Sequence, residues 1–512
     1  MKILYIDIDS LRPDHLGCYG YPRNTSPVID RLAREGVRFE EVMVSDSPCL
    51  PSRTALWSGR AGFRSGVVGH GGSAAEPFRE GRARGFRDAF YRDGWMTALR
   101  ATGHYTASIS SFAERHSAWH WCAGFNEIIN PGRFGIERAD EVVPLAMEWL
   151  ERRGRQKDWF LHLNLWDTHT PYRTPENFSP LFLGQAPENW IDAGMLERFR
   201  AGYGPHSAQD ACGWDGSCDR RYPRAPGPVA TLADVRAWID GYDTSVAYAD
   251  EWIGRLVEAL ERGGIFDETM IVISADHGES LGELNIWGDH QTADRLTCRV
   301  PLIVRPAGGC AGRVDAARHY HFDWAATLIE LAGGKVPASW DGLSFAQAFA
   351  SGRDAGREFL VTSHGAWCCQ RGVSFTQSGH DYLALVTYHD GYKDFFPFML
   401  YEVGVDPHEA RNIAAARPDL VGEACRLLAQ WQRAAMQASK SDVDPLMTVL
   451  REGGPFHCLG ELPAYLERLR RTGRERHARA LAERHPEAAN VASAAERATV
   501  RAGMGTARSS AG

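Results

Sequence analysis

Short apolar runs rich in β-branched residues alternate with stretches of helical spacing through the first two-thirds of the chain. Residues 3–8 read as a buried strand, the spacing at 27–35 predicts a helix, and 37–44 predicts the next strand. The same alternation continues further along, at residues 159–166, 250–262, 269–274 and 300–304. Such alternation is typical of an α/β fold, in which a large, mostly parallel sheet is flanked by helices on both faces.

The pattern changes near residue 356, where short strands separated by Gly and Asp turns replace the alternation and helices follow. These strands are predicted at residues 373–375, 382–388 and 398–403. We therefore expect a large α/β domain at 1–355 and a smaller C-terminal antiparallel-sheet α+β domain at 356–487. Residues 488–512, rich in Ala, Ser and Gly, predict a disordered tail.

The charge balance argues against several classes of partner. The chain has 57 Lys and Arg against 65 Asp and Glu, a net charge of −8, so it offers no general attraction for nucleic acid or anionic lipid. Residues 466–485 are rich in Arg, but Glu467, Glu475 and Glu483 interrupt them and favour a solvated helix surface.

No apolar run approaches the roughly 18 residues that span a bilayer, and the first strand begins too early for a secretory signal. We expect a cytoplasmic protein without nucleic-acid or membrane partners, and a homo-oligomer stays open.

The 11 cysteines are scattered without a repeated spacing, which in a reducing compartment indicates free thiols packed as small apolar groups. Cys212 and Cys218 are near enough in the sequence to close a short loop, but we expect them to be reduced. They lie within residues 201–228, a stretch without periodicity that predicts a long insertion loop serving as a lid or a substrate-selecting wall. His116 and His120, four residues apart, allow a zinc site, although the Trp residues beside them favour aromatic packing.

Acidic residues and histidines follow several of the predicted strands. Asp9 follows the first strand, His169 follows residues 159–166, and Asp276 and His277 follow 269–274. Ligands bind outside the carboxyl ends of the strands in such sheets, so we expect these side chains to converge. An oxygen-rich cluster of this kind suits a hard divalent cation, although a single aspartate more often caps a helix or a turn.

Cys49 has an unusual setting. In residues 48–53, Pro-Cys-Leu-Pro-Ser-Arg, a turn with two prolines leads into a helix predicted to begin near Ser52. Cys49 then lies beside a helix N-terminus, where free N–H groups and the helix dipole favour an anion. The pattern Cys-x-Pro-x-Arg resembles the signature of the type I sulfatases. In that family a dedicated formylglycine-generating enzyme oxidises the cysteine to a formylglycine aldehyde, so the resemblance implies that Cys49 is the precursor of the nucleophile.

The chemistry that the resemblance implies has a physical rationale. A thiol is a poor reagent for a sulfate ester, because its attack leaves a thiosulfate-like adduct with no easy exit. In an aldehyde hydrate, one metal-acidified hydroxyl attacks sulfur and displaces the alcohol, and deprotonation of the second hydroxyl then releases sulfate. The resemblance therefore implies a metal-dependent sulfuric ester hydrolase, a sulfatase, that acts on a carbohydrate or aryl sulfate.

Four further segments resemble the same family and occur in its order along the chain. Residues 9–20 resemble the N-terminal metal motif of sulfatases and of the wider alkaline phosphatase superfamily, and residues 276–283 resemble the second metal motif. Residues 167–172 resemble the segment that supplies an active-site histidine, and residues 400–412 resemble the entry into the C-terminal domain. The resemblance thus spans most of the chain and implies an alkaline phosphatase-like fold.

The resemblance implies one bound divalent cation, held by Asp9, Asp276, His277 and the modified residue derived from Cys49. Calcium is the default ion, and this ligand set also accepts manganese or magnesium. Arg53, one helical turn after Cys49, is expected to bond to the diol or to orient a ligand carboxylate as a permanent positive charge.

Three histidines complete the predicted catalytic group. His169 is expected to hold the sulfate or to protonate the leaving oxygen. His290 falls near the position where the family usually has a lysine; it is expected to take that role, with Arg295 as the alternative. His116 is expected to correspond to the histidine of the family's Lys-x-His segment, whose lysine this chain lacks.

Two departures keep other functions open. Ser10 stands where many sulfatases have a second aspartate, and the usual active-site lysines are missing. The phosphonate monoester and phosphodiester hydrolases of the same superfamily use a formylglycine and tolerate a neutral residue there, so they are the first alternative. A sulfate ester stays the first choice because the stretch around Trp287 and Val300 resembles sulfatases of carbohydrate esters. A non-catalytic binder of sulfated glycans is the second alternative, disfavoured because the complete set of site residues is present.

Overall fold

The structure is a computed structural model that describes residues 1–78, 89–187, 189–353, 356–439 and 443–489. Of the predicted disordered tail, residues 488 and 489 belong to a short helix and the rest lies outside the described residues. None of the helices in the described ranges is both long and apolar enough to cross a membrane.

Fifteen strands occur in the described ranges. They are Lys2–Ile8 (β1), Val37–Met43 (β2), Asp46–Ser47 (β3), Tyr105–Ile109 (β4), Glu127–Ile129 (β5), Trp159–Leu165 (β6), Thr269–Ser274 (β7), Ser280–Leu281 (β8), Trp287–Asp289 (β9), Leu302–Arg305 (β10), Arg313–Tyr320 (β11), Leu360–His364 (β12), Cys369–Gln377 (β13), His380–His389 (β14) and Phe398–Glu402 (β15).

The α-helices of the same ranges follow in chain order. They are Pro27–Arg34 (α1), Cys49–Ser58 (α2), Gly62–Ser65 (α3), Ala89–Asp93 (α4), Trp95–Ala101 (α5), Phe112–Arg115 (α6), Ala139–Arg153 (α7), Ala193–Ala201 (α8), Leu232–Arg262 (α9), Arg295–Cys298 (α10), His321–Leu331 (α11), Ala346–Ser351 (α12), Pro418–Ala438 (α13), Pro445–Arg451 (α14), Leu462–Arg471 (α15), Glu475–Arg484 (α16) and Pro486–Ala489 (α17).

The main sheet has eight strands in the order β11-β2-β10-β7-β1-β6-β4-β5. All pairs are parallel except those of β10, which runs antiparallel to both of its neighbours. The central strand β1 is buried along its whole length, as expected for a strand covered by helices on both faces. Helices α1, α7 and α9 form one packed group and α2, α5 and α11 another. The predicted α/β fold with a large, mostly parallel sheet is therefore confirmed.

The register of the central strands places the predicted site at one edge of this sheet. Ile8 at the end of β1 pairs with Leu165 at the end of β6, and Asp7 pairs with Ser274 at the end of β7. The chain segments that follow these three strands consequently leave the sheet side by side. They carry Asp9, His169, Asp276 and His277.

The smaller sheet has five strands in the order β15-β14-β13-β12-β3. Four of them form the predicted C-terminal antiparallel sheet, and the fifth, β3, comes from the N-terminal part and pairs in parallel with β12. Ser47 in β3 lies opposite His364 in β12, two residues before Cys49. The C-terminal sheet thus supports the segment that enters α2. The domain boundary at 355/356 stays a prediction.

One predicted helix is confirmed but is longer than predicted, and one expectation about the cysteines was wrong. The helix predicted at 250–262 is the C-terminal part, 13 residues, of a 31-residue helix, α9, which begins after Thr231 with a capping box to Asp234. Cys212 and Cys218 form a disulfide bond rather than a reduced pair. Positive φ angles at Cys212 and Gly213 turn the chain back on itself, and the two Cα atoms lie 5.3 Å apart, within the range that a disulfide spans.

The insertion loop between α8 and α9 is held by the C-terminal helices α15 and α16. Asp210 of the loop is buried and accepts hydrogen bonds from Arg468 at 2.6 Å, from Tyr465 at 2.8 Å and from Arg474 at 2.7 and 2.8 Å. Removing one partner of a buried group of this kind is costly, because the remaining charges stay desolvated. The loop therefore has a fixed position on the structure.

Candidate active site

Helix α2 begins at Cys49, three residues earlier than predicted, and every one of its residues is buried. The Sγ atom of Cys49 lies 3.0 Å from Nε2 of His277. Burial, together with Asp9 and Asp276, raises the pKa of the Cys49 thiol well above its ordinary value. The unmodified side chain is therefore a neutral thiol near pH 7 and a weak nucleophile.

Four buried side chains place one donor atom each within 4.8 Å of one another: those of Asp9, Cys49, Asp276 and His277. Nδ1 of His277 lies 2.8 Å from the carbonyl oxygen of Gly278, and it carries the proton because a carbonyl can only accept. Burial lowers the pKa of His277 well below its ordinary value, so Nε2 has a free lone pair that meets the cysteine sulfur. This donor set fits a divalent cation.

Arg53 joins the carboxylates of this cluster. Its Nε lies 2.8 Å from Asp7, and its Nη1 lies 3.0 Å from Asp9 and 2.5 Å from Asp276. Burial would raise the pKa of Asp9, but Arg53 and neighbouring histidines outweigh it and hold that pKa well below its usual range. Burial raises the pKa of Asp276 well above its usual range despite Arg53, and Asp9 and Asp7 add to the rise. Three carboxylates thus face one guanidinium, and the excess negative charge also favours a bound dication.

His290 lies next to the same cluster. A ring nitrogen of His290, a ring nitrogen of His169 and the Cys49 sulfur all lie within 4.8 Å of one another. The ring centres of His290 and His277 are 4.0 Å apart. Nδ1 of His290 is bonded to Glu279 at 3.0 Å. Burial opposes the charged ring, but Asp289 and Glu279 outweigh it and raise the pKa of His290 to about 9. His290 is therefore an imidazolium at neutral pH.

His169 has the opposite protonation state. Its Nδ1 donates to the carbonyl of Thr170 at 2.6 Å, and its Nε2 lies 3.5 Å from a guanidinium nitrogen of Arg115. Burial lowers the pKa of His169 to about 3. Of His169 and His290, only His290 is an imidazolium that can give up a proton at neutral pH.

His116 lies at the C-terminus of α6. Its ring contacts Phe112 at 5.1 Å, and the ring of Phe112 lies 5.0 Å from the Arg53 guanidinium. His120, in contrast, is bonded to Thr54 at 3.0 Å and packs edge-on against Phe90. These contacts match the expected aromatic packing, and within the described ranges the two histidines share no metal-binding group.

Several residues of the site were not assigned from the sequence. Glu279 orients His290 and accepts a hydrogen bond from Tyr172 at 3.0 Å, and Arg115 faces His169. Glu279 lies two residues after His277 in the second metal motif, and this position in the sequence could have indicated that it belongs to the site. Arg295, the alternative cation, pairs with Glu41 of β2 instead.

Asp167, just before the His169 segment, provides a test of the electrostatics at this edge. Its Oδ1 accepts from the Ala139 N–H at 3.1 Å, while its buried Oδ2 has no partner among the described residues. Burial raises its pKa to about 7, so the folded state keeps a proton that the unfolded state loses near pH 4. The contribution of this carboxyl group to the free energy of unfolding is complete below pH 4 and is lost as the pH rises from 4 through 7. We expect Asp167→Asn to raise the free energy of unfolding by roughly 2–4 kcal/mol at pH 8.

Urea unfolding at several pH values checks this expectation. The difference between Asp167→Asn and the wild type should grow from pH 5 to pH 8. A difference that stays constant over that range would contradict the raised pKa.

Two solved structures share this fold over most of their length. One is a complex with its substrate D-glucosamine-2-N,6-O-disulfate; it has a TM-score of 0.65 at 19% identity and covers 86% of this chain and 99% of that chain. The other is the phosphonate monoester hydrolase of Agrobacterium radiobacter, with a TM-score of 0.65 at 20% identity, covering 84% and 95%. The N-acetylglucosamine-6-O-sulfatase of Bacteroides thetaiotaomicron is 23% identical over 520 residues, covering 88% of this chain and 89% of the relative. The chain therefore has the same fold as these two solved structures.

The sequence model of the sulfatase family matches residues 2–334, which include the predicted metal ligands and catalytic residues. The chain belongs to the sulfatase family and is a sulfuric ester hydrolase. The resemblance read from the motifs is thereby confirmed. A multifunctional alkaline phosphatase superfamily protein of Trinickia caryophylli is also similar, at 22% identity over 461 residues, covering 76% of this chain and 85% of the relative.

Proposed function

We propose that this sulfatase hydrolyses a saccharide or aryl sulfate with a formylglycine at position 49 and a divalent cation, calcium by preference. The observation that carries the proposal is the position of Cys49 at the first turn of a buried helix, with its sulfur 3.0 Å from His277 and in one cluster with Asp9 and Asp276. The raised pKa of its thiol argues against direct attack by cysteine. Oxidation to an aldehyde by a formylglycine-generating enzyme supplies the missing nucleophile as a hydrate.

Asp9, Asp276, His277 and the modified residue 49 would hold the cation. When bound, the cation withdraws charge from sulfuryl oxygens and acidifies a coordinated hydroxyl. Arg53 keeps the two carboxylates in place through hydrogen bonds from a guanidinium that stays charged at neutral pH. The Gly278 carbonyl fixes the tautomer of His277, which leaves Nε2 available as a ligand.

His290 is proposed to hold a sulfate oxygen and to protonate the leaving alcohol. It is the charged histidine next to residue 49, and Glu279 holds its ring in place. His169 and His116, both neutral, are proposed to orient sulfate oxygens, with Arg115 as a neighbouring positive charge. Hydrolysis then consumes one water and releases sulfate and an alcohol.

Replacing His290 tests its proposed charge. We expect His290→Ala to lower kcat/KM for 4-nitrophenyl sulfate by about 100-fold or more, because a donor to a developing oxyanion is lost. His290→Lys should keep activity within about tenfold of the wild type, because it restores a cation. His319→Gln, at a buried histidine packed on Phe39, serves as the control for folding. Wild-type activity in His290→Ala would contradict the assignment.

A phosphonate monoester or phosphodiester is the second candidate substrate. Ser10 lies beside Asp9 and bonds to its carboxylate at 2.9 Å, so no second aspartate adds negative charge at this position. The similarity to the phosphonate monoester hydrolase supports the same alternative.

One experiment decides among these functions. The protein is co-produced with a formylglycine-generating enzyme, and the mass of the peptide that contains residue 49 reports the conversion. The modified protein is then assayed with 4-nitrophenyl sulfate and with a phenyl phosphonate monoester, each with calcium, manganese or magnesium. A higher kcat/KM for the sulfate supports the proposal, and a higher value for the phosphonate replaces it with the alternative. If the converted protein hydrolyses neither substrate, the remaining candidate function is binding of sulfated glycans without catalysis.

A further inference from the structure

Four side chains from distant parts of the sequence form a continuous group beside the catalytic histidines. His116 and His70 have ring centres 4.9 Å apart, Nδ1 of His70 lies 3.0 Å from Nε2 of His457, and His457 stacks on Trp367 at 4.6 Å. Each of these side chains is only half-buried. We call this group, made of His70, His116, Trp367 and His457, the histidine–tryptophan wall.

One end of the wall reaches the carboxylate cluster. His116 contacts Phe112, and Phe112 lies against the guanidinium of Arg53, which in turn binds Asp9 and Asp276. This end of the wall therefore lies beside the proposed sulfate position.

The other end reaches His290. Trp367 packs edge-on against His206 of the insertion loop at 5.4 Å, and Nε2 of His206 is paired with Asp289 at 2.9 Å. Asp289 directly precedes His290. The wall and the catalytic residues thus form a closed ring of contacts, and the anchoring of Asp210 by α15 and α16 holds the loop part of that ring in place.

The wall has unused hydrogen-bonding capacity. Nε2 of His70 and Nε2 of His116 are buried, and neither has a partner among the described residues. The bond between His70 and His457 can form with either ring as the donor, so Nε2 of His70 can present an N–H or a lone pair. A hydroxyl group, which both donates and accepts, is the natural partner of such a pair.

The wall also lacks positive charge. Burial holds the pKa values of His70 and His116 well below their ordinary value and lowers that of His457 to about 4. Neutral rings do not offer the charge that a second sulfate or a uronate requires, while they bond well to hydroxyls. The half-buried indole of Trp367 supports the wall from behind: His457 stacks on it at 4.6 Å, and the ammonium of Lys393 lies over its ring at 5.7 Å.

We propose that the histidine–tryptophan wall binds the alcohol half of the substrate, and that this alcohol is a sugar ring with a hydroxyl bonded to Nε2 of His70, whose ring His457 orients through its bond to Nδ1. The proposal rests on the proposed sulfatase function and assigns its substrate class to saccharide rather than aryl sulfates. It also gives the C-terminal segment a part in specificity, because His457 positions the ring of His70.

The test compares two substrates in variants that keep the ring shape and remove the nitrogen atoms. Three formylglycine-containing proteins are assayed: the wild type, His70→Phe and His457→Phe. The sugar substrates are N-acetylglucosamine 6-sulfate, glucose 6-sulfate, glucose 3-sulfate, galactose 6-sulfate and N-acetylgalactosamine 4-sulfate. The reference substrate is 4-nitrophenyl sulfate, which has no hydroxyl. Loss of the His70 hydrogen bond, or of the His457 contact that orients His70, should lower kcat/KM for the best sugar sulfate by about three- to tenfold, while the value for 4-nitrophenyl sulfate stays within about twofold. His457→Gln should recover part of the loss. His477→Phe, at a half-buried histidine on α16 that packs on Tyr203, should change neither substrate.

Equal losses on both substrates, with unchanged melting temperature, would overturn the wall as a sugar site. Cleavage of 4-nitrophenyl sulfate without cleavage of any sugar sulfate in the panel would overturn it as well.

A binding measurement separates this proposal from the sulfatase function. The Cys49→Ala protein, saturated with calcium, is titrated with the same sugar sulfates by calorimetry, with and without His457→Phe. Binding that weakens three- to tenfold in the double variant supports the wall even when the modified enzyme shows no turnover. Binding that is unaffected by His457→Phe counts against the wall while the sulfatase function stands.

Discussion

Cys49→Ala is expected to abolish sulfate ester turnover, with a loss in kcat/KM of at least about 1,000-fold, while the protein keeps its fold. The alanine side chain cannot become an aldehyde, so the nucleophile is removed and only binding and charge stabilisation remain. The side chain is fully buried in the first turn of α2 and contributes one sulfur to packing, so the cost in stability should be modest. The measurement is steady-state kinetics on 4-nitrophenyl sulfate together with the melting temperature.

Cys369→Ala is the matched control for this variant. Cys369 is a free, fully buried cysteine in β13, outside the cluster that contains Cys49. It should lose a similar amount of stability and no activity. Turnover by Cys49→Ala at a wild-type rate would refute the assigned nucleophile. An inactive Cys369→Ala would show that the activity is lost because a buried cysteine was removed and the fold was weakened, not because the nucleophile was removed.

Asp276→Asn is expected to weaken calcium binding by at least about 100-fold and to lower the rate with it. The amide keeps the size of the side chain, but it removes one of the negative charges that the cation would neutralise. The pKa of Asp276 is raised by burial and by Asp9 and Asp7, so this carboxylate gains most from a bound dication. Calcium should raise the melting temperature of the wild type and much less that of Asp276→Asn, because a ligand of the folded state stabilises it according to its affinity.

Asp167→Asn is the matched control for this second variant. Asp167 is likewise a buried aspartate with a raised pKa, and it lies outside the four-residue cluster. Its variant should respond to calcium and to chelator as the wild type does. If Asp276→Asn keeps the calcium-dependent shift of the wild type, Asp276 is not a ligand.

The fold was largely predictable from local pattern. Strands β1, β2, β6 and β7 lie within one residue of their predictions, because each is an uninterrupted apolar or alternating run between helices. Helix α9 was predicted at less than half its length because its N-terminal turns include glycine and many polar residues, and the apolar face becomes visible only against α1 and α7. The antiparallel direction of β10 has no local signal, since it depends on the path of the preceding loops.

For the site, the sequence by itself determined which residue types follow the strands and which motifs surround Cys49. It placed Asp9, Asp276, His277 and Arg53 in one cluster, because parallel strands end at the same edge of a sheet. The register of β1, β6 and β7 agrees with that reasoning.

Only the tertiary structure decided the protonation of the histidines and the composition of the histidine–tryptophan wall. Burial disfavours the charged form of both His169 and His290, yet one is neutral and the other charged, because only His290 has Glu279 and Asp289 beside it. His70 and His457 are 387 positions apart in the sequence, and no periodicity links the two rings. Their contact arises where the C-terminal segment packs against the residues that follow α3, and such long-range packing depends on the whole fold rather than on neighbouring residues.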